Sequence, residues 1–131
     1  MANFSRLVTE FRNVYPYSTL LVSSGDNYIP GPRYYAAGDD AMSDLLGVPA
    51  NGRADIIFMN EMGVRASAVG NHDLDSGPEG FVSAVAPEST EEGSYPGARF
   101  PFVAANLDFS QDENSAPLVT AGAQPAQAIP G

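Results

Sequence analysis

Two short stretches carry side chains able to do chemistry together. One is Gly70-Asn71-His72-Asp73, which holds the single histidine of the chain, and the other is Gly25-Asp26. Carboxylate and amide oxygens ligate hard divalent cations. An imidazole moves protons near neutral pH. Each stretch also has an ordinary reading. Gly-Asp after a strand is commonly a turn or a helix cap. A lone histidine is commonly buried and hydrogen-bonded, with a preceding asparagine serving a turn. Position in the chain separates these stretches from that background.

Both stretches follow apolar runs. Residues 19–24 (TLLVSS) form a short continuous run, as expected of a strand covered on both faces. Residues 65–69 (RASAV) predict the next strand, and residues 100–109 carry a third. Phe4, Leu7, Val8 and Phe11 have helical spacing, and Pro16 stops that helix. Asp39 and Asp40 precede a short capped helix ending at Gly47. Asn51 can cap a second helix, residues 52–63, which stops at Gly63. Pro78 suits the first turn of a helix over residues 78–86. Residues 25–32 read as a rigid loop with two prolines and two glycines, and residues 89–98 as a turn-rich polar insert. From Ser110 the composition shifts to Ala, Gln, Pro and Gly, so residues 110–131 read as a loop or frayed tail.

The order helix, strand, helices, strand, helix, strand predicts an α/β domain whose strands are mostly parallel and joined by crossover helices. In such sheets sites form at the carboxyl ends of strands. Both polar stretches fall there, so Asp26 and Asn71 can meet although they are far apart in sequence.

Composition narrows the function. The 131 residues suit one domain, and 44% hydrophobic content supports a packed core. Sixteen acidic against six basic residues give a net charge of −10, which argues against a nucleic-acid duplex or an anionic membrane as partner. There is no cysteine, which removes disulfides, thiolate metal sites and thiol nucleophiles. No apolar run is long enough for a membrane span, and the opening residues do not form a signal peptide.

Three stretches in order, LLVSSGDNYIPGP, GNHDLDSG and FPFVAANLDF, resemble the calcineurin-like metallophosphoesterases, and within them the 5'-nucleotidase-type branch. Gly-Asn-His-Asp is the most specific of the shared elements. The resemblance covers about residues 4–109, so residues 1–109 are expected to be a partial catalytic domain, part of an αββα sandwich. It implies hydrolysis of phosphate esters at two divalent metal ions, whose identity (Zn, Mn, Fe, Mg or Ca) oxygen and nitrogen ligands leave open. By resemblance the metal ligands are Asp26, which bridges the ions, and Asn71. The catalytic residues are His72, beside the phosphoryl group, and Asp73, expected to fix the imidazole tautomer. The implied partner is a nucleotide or small phosphate ester, and the implied location periplasmic, cell-surface or secreted.

The chain also departs from the family pattern. An Asp-x-His should precede Asp26, yet residues 1–25 contain neither Asp nor His, and no histidine follows residue 109 where Gly-His and Gly-His-x-His should lie. An interior piece of a longer enzyme, inactive by itself, accounts for this. Two alternatives stand beside it: a non-catalytic binding or scaffold domain that keeps the fold without metals, and a plain α/β domain with coincidental loops.

Overall fold

A computed structural model describes residues 2–119. Helix α1 (Ala2–Val14) ends before Pro16, as its sequence requires. Of its apolar stripe only Val8 is buried, while Phe4, Leu7 and Phe11 stay about half exposed. Arg12 holds the helix down by donating from Nη2 to the Gly63 carbonyl at 3.0 Å.

Strand β1 (Val22–Ser23) leads through the first polar loop to α2 (Pro32–Ala36), a short helix that the proline-rich composition had hidden. A 3-10 turn at Asp40–Met42 runs into α3 (Ser43–Leu46), and Asp39 caps that turn by accepting from the Ala41 N–H at 2.8 Å. Helix α4 (Arg53–Met62) is followed by β2 (Ala66–Ala68), a 3-10 turn at His72–Leu74 and α5 (Gly77–Val85). Strands β3 (Glu88–Ser89) and β4 (Ser94–Tyr95) form a hairpin, and β5 (Phe102–Val103) closes the core. A last 3-10 turn spans Ala116–Leu118, and residues 120–131 of the expected tail lie outside the described residues.

The sheet is parallel in the order β1-β2-β5, with Val22 beside Ala66, Ser23 beside Ser67, and Ser67 beside Phe102. The α/β class and the three parallel strands are as expected. The core lies where α4 and α5 pack together, with Ile56 and Ala84 fully buried among Met59, Phe81 and Val85. Burying a side chain such as Ile56 contributes about 2 kcal/mol.

Three local expectations are corrected. The first strand is not covered on both faces: it is an edge strand, and Leu20 and Val22 are 70% and 56% exposed. Asn51 does not cap α4. The chain enters that helix through Gly52 at φ +79, which bonds back to the Tyr34 carbonyl at 3.2 Å, and the Asn51 amide is turned onto Gly38 instead. The polar insert is ordered by long-range contacts. Tyr95 is fully buried and donates its hydroxyl to the Ala84 carbonyl at 2.6 Å, under the Arg53 guanidinium 4.3 Å from the ring centre. Arg53 also donates to the Ser83 and Val48 carbonyls and to Glu88, tying α4, α5 and the hairpin together.

Candidate functional site

The two polar loops meet because their strands are neighbours. Both β1 and β2 end at the same edge of a parallel pair, so Gly25 and Gly70 come backbone to backbone. A Cβ added to Gly25 would lie 2.5 Å from the Gly70 nitrogen, and one added to Gly70 would lie 2.2 Å from Asp26 Oδ1. Only residues without side chains allow this crossing.

Asp26 takes a left-handed conformation, φ +54, and is the one non-glycine residue with positive φ among the described residues. Aspartate tolerates this region better than most side chains. Its carboxylate crosses Gly70, and Oδ1 accepts the His72 backbone N–H at 2.8 Å. That bond brings the Asp26 carboxylate against the Asn71–His72 peptide, at the carboxyl ends of β1 and β2. The Asp26 and Asn71 side chains are exposed there. Behind them, Ser23 donates to the Asn27 amide oxygen, and Asn27 donates to Ser67 Oγ at 2.9 Å, which pins the first loop to β2.

His72 is half exposed, and its Nδ1 is 2.7 Å from Asp75 Oδ2. That hydrogen bond, together with the Asp75 charge, raises the His72 pKa above its ordinary value. Asp73 had been expected to hold the ring, and it does not. Its carboxylate is 1% exposed and accepts the backbone N–H groups of Asp26 at 3.1 Å, Asn27 at 3.0 Å and Gly70 at 2.9 Å. The reason is the 3-10 turn at His72–Leu74. With three residues per turn, neighbouring side chains diverge and residues i and i+3 eclipse. Asp75 therefore lies beside the ring, and Asp73 is turned inward. The signal for Asp75 was present in His-Asp-Leu-Asp, where the second carboxylate is three residues from the histidine.

Below the turn, Tyr28 is buried and donates its hydroxyl toward the Asp73 carbonyl at 3.4 Å. Burial first, and then the Asp73 charge, push its pKa well up, so it stays a neutral donor.

The donors fit a hard divalent cation in kind. One is an anionic carboxylate and one a neutral amide, both oxygen donors, both exposed at a sheet edge. They do not make a full coordination shell, since no group of three or more His, Asp or Glu able to hold a metal occurs among the described residues. No helix among these residues is long and apolar enough to cross a membrane.

The chain is similar to two curated proteins. It is 37% identical over 83 residues to the trifunctional nucleotide phosphoesterase protein YfkN of Bacillus subtilis (strain 168), a match covering 58% of this chain and 6% of that protein. It is 28% identical over 111 residues to Protein 5NUC of Lutzomyia longipalpis, covering 85% of this chain and 15% of that protein. The chain thus spans a small fraction of the length of these relatives. No family model and no solved structure matches it.

Proposed function

We propose that these two loops are part of a two-metal site for hydrolysis of phosphate esters, with nucleotides as the substrate class. The observation that carries this reading is the closure of the two loops on each other at the carboxyl ends of adjacent parallel strands, through Asp26 and the His72 N–H. The similarity to a protein named as a nucleotide phosphoesterase supports it.

Asp26 and Asn71 would hold metal. Divalent ions, when bound, would supply a polarised phosphoryl group and an activated hydroxide. The neutral amide of Asn71 adds a donor without adding charge to a chain already at −10. His72 has Nδ1–H committed to Asp75, so in its imidazolium form, which the Asp75 hydrogen bond and charge favour, it would also have an Nε2–H to donate to a phosphoryl or leaving-group oxygen. Asp75, rather than Asp73, is the carboxylate that orients the ring. The remaining ligands of a complete site are not among the motif-matched residues of this chain, so residues 1–131 alone are expected to turn over no phosphate ester. The competing reading, a domain that keeps the fold without metals, draws on the two-donor set.

Paramagnetic Mn titrated into the labelled chain separates the two. The reading expects selective broadening of the Gly25, Asp26, Asn71 and His72 amide signals, abolished in Asp26→Asn. Broadening spread over the acidic surface and indifferent to that substitution would overturn it in favour of the non-catalytic domain.

A further inference from the structure

Three backbone N–H groups from two loops converge on one buried carboxylate. Asp73 Oδ2 accepts from Asp26 and Gly70, and Oδ1 accepts from Asn27. Successive N–H groups around a left-handed residue make a concave anion-binding nest. The anion in this nest is a side chain of the chain itself, and it is 1% exposed. A carboxylate that deep is tolerated only with hydrogen-bond partners on its oxygens, and here each oxygen has at least one.

The nest has a directional consequence. A left-handed aspartate costs on the order of 1 kcal/mol against ordinary backbone and needs something to hold it there. The N–H groups of Asp26 and of the residue after it both point at Asp73, which fixes the peptides on either side of Asp26. With those peptides fixed, the Asp26 side chain projects across Gly70, and Oδ1 reaches the His72 N–H at 2.8 Å. The two carboxylates are reciprocal: Asp73 of the second loop caps amides of the first, and Asp26 of the first loop caps an amide of the second.

We propose that Asp73 is a positioning residue, an internal anion that sets the direction of the Asp26 carboxylate. It touches neither the His72 ring nor the exposed face of the site and acts through Asp26. The consequence for metal affinity rests on the reading of Asp26 as a ligand; the consequence for Asp26 geometry does not.

Asp73→Asn keeps the shape, removes the charge, and replaces one acceptor by a donor facing an N–H. In the metal-free chain the readout is hydrogen exchange at the His72 amide, with the Ile56 amide reporting global opening. The expected result is faster exchange at His72, by about tenfold for one lost hydrogen bond, beyond any change at Ile56. An unchanged His72 amide, or a change matched at Ile56, overturns the proposal. Mn affinity is the second readout. It should fall in Asp73→Asn and be indifferent to Asp73 in an Asp26→Asn background, since coupled residues are non-additive. A fall of equal size in both backgrounds overturns action through Asp26. An unaltered chain that binds no Mn refutes the metal reading, and the exchange result still decides the positioning role. If Asp73→Asn does not fold, scalar couplings across the hydrogen bonds from the Asp73 carboxyl carbon to the amide nitrogens of Asp26, Asn27 and Gly70 can be measured in the unaltered chain. Their presence supports the nest, and their absence overturns it.

Discussion

Gly70→Ala is the sharpest single test of how the two loops are joined. The added Cβ would lie 2.2 Å from Asp26 Oδ1 and 2.5 Å from the Asp26 nitrogen. Ordinary contact begins near 3.4 Å, so the first loop must retreat by about 1 Å. Gly70 is not among the glycines with positive φ, so alanine adds no backbone strain and the effect is purely steric. The retreat breaks the charge-assisted bond from the His72 N–H, about 1.5–3 kcal/mol. Overpacking a close contact adds about 1–3 kcal/mol. Together these give a loss of about 2.5–6 kcal/mol, a large part of the stability of a domain this size. At about 4 °C per kcal/mol, the melting temperature falls by about 10–24 °C. Gly77→Ala is the matched control: its Cβ meets nothing within 4 Å, but its φ is +73, so it carries only the left-handed penalty. That penalty is about 1–2 kcal/mol. Urea denaturation of both variants ranks the two effects. A Gly70→Ala variant within about 1 kcal/mol of the unaltered chain, or more stable than Gly77→Ala, would refute the crossing of the loops.

Two further outcomes follow from named side chains. Burial raises the Asp55 pKa, against the opposing charge and hydrogen bond of Arg33, which pairs with it at 2.5 Å. For a raised folded-state pKa the stabilising contribution is full below the unfolded value of about 3.9 and is lost as pH rises through the folded value. Denaturation measured from pH 3.5 to 6.5 should therefore show a steeper loss of stability with rising pH in the unaltered chain than in Asp55→Asn, and equal slopes would contradict it. Asp75→Asn should lower the His72 pKa toward the ordinary imidazole value, followed by NMR of the ring protons, while an unchanged titration would place the ring elsewhere.

The parallel strands and the meeting of the Asp26 and Asn71 loops were legible because both follow from alternation of elements and from where strands end. The partner of His72 was not. Whether Asp73 or Asp75 reaches the ring depends on whether the loop takes a 3-10 turn, a choice of a few backbone angles that sequence spacing does not dictate. Asn51 had the right side chain for a cap, yet the left-handed Gly52 after it sets the entry to α4. The hairpin at Glu88–Tyr95 lacks a run of strand-forming residues, and its order comes from Arg53 and Ala84, residues outside its own sequence. The cover expected over the first strand failed because burial depends on what lies beside a strand, and β1 is at the edge.

The reciprocal capping of the two loops also sets an order of events in folding. The bonds that shape the site join residues 46 or 47 positions apart. Each such closure costs chain entropy that grows with the logarithm of the separation. Until β1 and β2 have paired, Asp26 lacks its bond from the His72 N–H and Asp73 has only its local bond from the Gly70 N–H. The site is therefore a late product of folding, assembled after the sheet. Slow exchange at the His72 amide reports that the whole segment between the two loops has already reached its place.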